Sequence, residues 1–106
     1  MAIIDISIIP VGTNSTSVSE YVAEIHKVLE KHKESINYQL TPMNTVIEGE
    51  LPNLFKVIQD MHEVPFNKGA ARVATTIRID DRRDKKSTIA GKLESVEAKL
   101  NELNNK

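Results

Sequence analysis

The chain has no cysteine and no tryptophan. The first absence excludes disulfides, thiol nucleophiles and cysteine-ligated metals. Aromatic residues are scarce: Tyr21, Tyr38, Phe55 and Phe66 are all there are. Tyr21 and Phe55 fall on helical stripes and the first strand-like segment has no aromatic, so a sheet that stacks on RNA bases is not expected. A basic surplus is also missing. Fourteen Lys and Arg stand against fifteen Asp and Glu, a formal charge of -1, and a protein that neutralises many phosphates needs the opposite balance. No apolar run exceeds four residues, so no segment is long enough to span a bilayer. The opening residues lack a secretory signal's apolar block, which makes the cytoplasm the expected compartment. Catalytic signatures are absent too. There is no G-x-S-x-G and no P-loop, and His26, His32 and His62 show neither an H-E-x-x-H pattern nor metal-ligand spacing on a helix.

What is present is an ordinary globular composition, 40% hydrophobic and 27% charged over 106 residues. One domain covering residues 1–106 is expected. Residues 2–10 are rich in isoleucine, a stiff β-branched residue that favours strands. Ala2, Ile4, Ile6 and Ile8 form one face; Ile3, Asp5, Ser7 and Ile9 form a mixed second face that something must partly cover. Ser17, with Glu20 three residues on, suits the start of a helix. Val18, Tyr21, Val22, Ile25, Val28 and Leu29 supply its apolar stripe. Strands are predicted at 36–40 and 45–49, joined by a turn at Thr41-Pro42-Met43-Asn44. A second helix follows Pro52, with Leu51, Leu54, Phe55, Ile58 and Met61 inward, and residues 64–71 read as a loop. Arg72–Asp80 alternates as a half-buried strand, with Val73, Thr75, Ile77 and Ile79 on its apolar side. Asp80–Lys86 is seven consecutive charges, a solvated turn. Ser87 or Thr88 then caps a last helix. There Ile89, Leu93, Val96, Leu100 and Leu103 alternate steps of four and three, a narrow seam of the coiled-coil type.

The order β-α-β-β-α-β plus a C-terminal helix matches an α+β, ferredoxin-like sandwich with two helices on one face of a four-stranded antiparallel sheet. The other face carries Ile3, Ile9 and Val46, so packing between subunits is expected there. Pro10–Ser17, Thr41–Thr45 and Val64–Arg72 should converge at one sheet edge and bring neutral polar groups together. Glu48 falls on the open face, near Ser7 by this reading. A carboxylate there must be paired, with Arg78 as the partner at hand, or must bind something.

Four segments carry a resemblance to a known family: Ile8-Ile9-Pro10-Val11-Gly12-Thr13, Tyr38 through Gly49, Gly69-Ala70-Ala71-Arg72-Val73, and Thr76 through Arg82. In them the chain resembles the thiamine-binding proteins, small ferredoxin-like proteins. The most specific block is Thr45-Val46-Ile47-Glu48-Gly49. The family usually has glycine where this chain has Asn44, and asparagine can also take a left-handed backbone conformation. The resemblance implies a homo-oligomer, a tetramer of paired dimers, with a pocket for thiamine or its hydroxymethylpyrimidine part at each sheet. It implies no catalysis, cofactor or metal. An aminopyrimidine needs neutral hydrogen-bonding groups and one acidic acceptor. Ser7, Thr13, Asn44 and Thr45 suit the first need and Glu48 the second, while Arg72 could orient the carboxylate or meet a phosphate. Two other readings stay open on these residues: an oligomeric structural or regulatory protein without a vitamin ligand, and a small enzyme with Glu48 as base.

Overall fold

A computed structural model describes residues 1–12, 19–86 and 88–104. The elements follow the order expected: β1 (Ala2–Val11), α1 (Ser19–Lys31), β2 (Ile36–Leu40), β3 (Thr45–Gly49), α2 (Leu51–Asn67), β4 (Arg72–Asp81) and α3 (Ile89–Asn104). The strands form one antiparallel sheet in the order β2-β3-β1-β4, the ferredoxin-like α+β arrangement.

Isoleucine alternation sets the layers. Ala2, Ile4 and Ile6 of β1 face the helices and pair with Gly49, Ile47 and Thr45 of β3. They are buried together with Ile25 and Leu29 of α1 and Leu54, Val57, Ile58 and Met61 of α2. The α2 stripe is rotated from the one predicted: Val57 points inward and Phe55 is exposed, because the buried set runs 54, 57, 58, 61, 64, 65 at helical spacing.

The expected loop at 64–71 is instead the end of α2. Pro65 lies inside the helix, where its missing N–H costs one bond. Burial of Val64 and Pro65 holds the last turn in place. Gly69, at φ +100°, then closes it. Gly69 N donates to Phe66 O (3.0 Å) and Ala70 N to Pro65 O (3.0 Å), the Schellman pattern that left-handed glycine permits. On β4, Val73 and Thr75 are half-buried, but Ile77 and Ile79 are exposed. The edge strand reaches past the helices that should have covered its apolar side.

Thr88 caps α3, its Oγ1 accepting from Gly91 N at 2.9 Å. The Ser17 and Ser87 caps lie outside the described residues. No residue of α3 is buried. The seam residues Leu93, Val96, Leu100 and Leu103 are 53–64% exposed. The helix draws the molecule out to 54 × 30 × 20 Å with a radius of gyration of 16.1 Å, against ~13 Å for a compact chain of this length.

Candidate functional site

β1 is ten residues long, and β4 pairs with all ten. β3 pairs only with Ala2–Ile6. Ser7–Val11 therefore have no described strand partner on the β3 side. A hollow of about 150 Å³ opens there, lined by Ser7, Ile8 and Ile9, by Leu40–Thr45, and by Val22, Ile25 and Met61 from the helices. Its walls are mainly apolar, with Ser7, Thr41, Asn44 and Thr45 supplying polar atoms.

The β2–β3 turn is built around Thr41. Its N–H donates to Asn44 O (2.9 Å), and its hydroxyl accepts from Met43 N (3.2 Å) and Asn44 N (3.0 Å). The same hydroxyl lies 2.7 Å from Asn44 Oδ1. These bonds fix the turn without a left-handed residue: no described non-glycine residue has positive φ. Asn44 thus keeps the turn by another route than the left-handed conformation anticipated for it. Its Nδ2 reaches Asp5 Oδ1 at 3.4 Å. Asn44 is also a wall of a second depression, about 470 Å³, on the open sheet face among Ile3, Asp5, Val46, Arg78, Asp80 and Lys92.

A model of the thiamine-binding protein family matches residues 4–97. The chain belongs to the thiamine-binding protein family. Among relatives, UPF0045 protein YqgV of Bacillus subtilis (strain 168) is 62% identical over 102 residues, covering 94% of this chain and 98% of that one. A UPF0045 protein of Staphylococcus xylosus is 55% identical, covering 99% and 100%. The solved structure of hypothetical protein MJ1052 from Methanocaldococcus jannaschii is 34% identical with a TM-score of 0.80, covering 90% and 94%.

In this thiamine-binding family member the hollow gathers three of the residues read from sequence: Ser7, Asn44 and Thr45. Thr13 lies outside the described residues. Arg72 pairs with Val11 on the β4 side of β1, across the strand from the hollow. Glu48 is elsewhere as well. It pairs with Ile3, four residues along β1 from Ser7, or about 13 Å at strand rise. Its side chain is 6% exposed. Oε1 accepts from Asn37 Nδ2 (3.0 Å) and Oε2 from the Ile89 N–H at the start of α3 (2.5 Å). The partner expected for it, Arg78, instead donates from Nε to Asp5 Oδ2 at 2.8 Å. The sequence reading did not single out Asp5 for the site. Its one signal was a charge on an otherwise isoleucine-rich strand.

Other polar clusters lie away from the hollow. The Tyr38 hydroxyl donates to Glu30, which holds the phenol above its ordinary range, and His26 stacks edge-on against the Tyr38 ring. A larger, open depression of about 750 Å³ lies by Met1, Glu50 and the charged turn. The arginines there are already engaged, Arg82 with Asp84 and Arg83 with Asp81. These guanidinium bonds hold both aspartates below the ordinary carboxylate range. Among the described residues, no group of three His, Cys, Asp or Glu could hold a metal, and no helix is long and apolar enough to cross a membrane.

Proposed function

We propose that this protein binds thiamine or its hydroxymethylpyrimidine part without transforming it, as a cytoplasmic carrier, salvage factor or sensor. The observation that carries this reading is a ring-sized hollow beside a one-sided strand in a member of the thiamine-binding family. A strand edge offers N–H and C=O groups in one plane. An aminopyrimidine offers an exocyclic amine and ring nitrogens in one plane, so the ring can take the place of the missing strand partner. Ser7, Asn44 and Thr45 then set its orientation, and the isoleucines and Leu40 meet its faces. Catalysis by Glu48 is disfavoured by its geometry, because both of its oxygens already accept hydrogen bonds.

The reading includes self-association into a tetramer. Ile9 and the α3 seam are exposed apolar surface, and a second copy of each would cover it. A light-scattering mass equal to one chain would overturn this part.

The test is a thermal-shift series followed by calorimetry with thiamine and hydroxymethylpyrimidine. A ligand at ~100 times its Kd stabilises by about 2.7 kcal/mol. That raises Tm by on the order of 10 °C for a domain of this size. Absence of any shift with both compounds overturns the vitamin reading and leaves the oligomeric structural protein. Chemical change in recovered ligand overturns the non-catalytic part.

A further inference from the structure

The open sheet face carries two carboxylates near its centre, Asp5 and Glu48, and their surroundings differ in a way that assigns them different tasks. Glu48 has a firm donor on each oxygen and is almost wholly buried. Asp5 is satisfied only in part. Arg78 meets it through Nε alone, not through the two-pronged fork a guanidinium can offer a carboxylate. Among the described residues its other oxygen has only the long 3.4 Å contact from Asn44. The Arg78 side chain is 80% exposed and that of Asp5 27%, so the pair is a surface ion pair of the kind that stabilises little. Asp5 also lines the 470 Å³ depression, whose wall Asn44 is shared with the smaller hollow.

We infer that Asp5 is the carboxylate that recognises the ligand, and that Arg78 is its displaceable counter-ion. The chemistry that fits is an amidine-like N–C–N edge, as in a 4-aminopyrimidine with its neighbouring ring nitrogen protonated or in a simple amidinium. Such an edge gives Asp5 two parallel N–H donors where Arg78 gives one. Arg78 can swing into water when it is displaced, since nothing buries it. Seating a second copy over this face would raise the cost of an unpaired Asp5, so the ligand must replace Arg78 and not merely evict it. Lys92, held by Asp80 at 2.6 Å, lies on the rim and is not needed for the exchange. The assignment rests on the binding reading above but names a different acid from the one the sequence suggested.

The experiment titrates the full chain, wild type and the Asp5→Asn, Glu48→Gln and Arg78→Gln variants, with benzamidinium and separately with thiamine. It uses calorimetry, and NMR of the Asp5 carboxyl carbon and the Arg78 Nε–H. The expected result is an affinity for benzamidinium at least tenfold weaker in Asp5→Asn and unchanged in folded Glu48→Gln. Arg78→Gln should bind a few-fold more tightly, with a flatter salt dependence. Both NMR signals should move on titration of the wild type. The assignment is overturned if benzamidinium leaves the Asp5 carbon unmoved, or if Asp5→Asn binds it as the wild type does. Benzamidinium binding at Asp5 without thiamine binding would keep the assignment and sink the vitamin reading. Thiamine binding that ignores Asp5→Asn would do the reverse. Should Asp5→Asn fold poorly, the Arg78→Gln affinity and the wild-type carboxyl shift still decide.

Discussion

The two halves of β1 share a strand and a pattern but not an environment. Ala2–Ile6 is flanked by β3 and β4; among the described residues, Ser7–Val11 is flanked by β4 alone. In the first half every backbone edge is taken and the helix-facing side chains are buried; of its two open-face carboxylates, Asp5 stays half-exposed beside Arg78 and only Glu48 is committed to the architecture. Glu48, opposite Ile3, anchors the start of α3 and holds Asn37. In the second half one edge is missing, and the polar side chains of the β2–β3 turn gather there with no strand to satisfy. The hollow proposed as the binding site thus follows from where β3 stops.

The largest effect is expected in the closed half. Ile4 is completely buried in the core, and Ile4→Ala should cost about 2–5 kcal/mol. Chemical denaturation would show it as a lower midpoint with little change in slope. A cost below ~1 kcal/mol would mean the two halves are equally soft.

Glu48→Gln is the next largest effect. It removes the charge that accepts from Ile89 N and Asn37, and should cost about 1–3 kcal/mol. Amide exchange should accelerate first at Ile89–Lys92, since no residue of α3 is buried and the Glu48 bond holds its start. Equal exchange along the whole chain would show that α3 is held by other contacts.

In the open half the sign of the comparison reverses. Ser7→Ala and Thr45→Val should leave stability within about 1 kcal/mol, yet weaken thiamine binding by roughly three- to tenfold each, the worth of one lost hydrogen bond. Calorimetry on both variants checks it. Unchanged affinity would place the ligand elsewhere.

The smallest effect is electrostatic and lies in the charged turn that starts at Asp81, the partner of Ala2. Asp81 and Asp84 titrate below the ordinary value of 3.8 because Arg83 and Arg82 bond to them. A depressed folded pKa stabilises above the unfolded value. That contribution is lost as pH falls through the lower folded value, so the loss belongs below pH 3.8. Both groups are exposed, and solvent screening keeps the contribution small. NMR titration of the two carboxyl carbons should show the depression, and Arg83→Gln should remove it for Asp81 alone.

Much of this was legible in the chain. Period-two isoleucines placed β1 and its buried face, and β4 announced itself by strict alternation. The four-three steps from Ile89 marked a seam that α3 indeed leaves exposed. The turn residues Thr41 and Asn44 and the neighbouring Thr45, read as converging, do line one hollow beside β1. The misreadings share one cause, that a local signal was overruled by contacts from elsewhere. Pro65 looked like a helix breaker, but buried packing carried α2 through it to Gly69. Phe55 looked like core, but Val57 took that face.

The order of elements, the buried face of β1 and the polar turn were readable from the residues alone, because these depend on side-chain periodicity and backbone preference within a few residues. The partners of the two open-face carboxylates, by contrast, came from the assembled fold: Glu48 is buried between two donors, and Asp5 sits half-exposed beside one guanidinium nitrogen. Asp5 meets Arg78 across 73 residues of chain, and Glu48 meets Ile89 across 41. Those partners are assigned by strand register and by where α3 docks, and neither leaves a mark in the residues nearby.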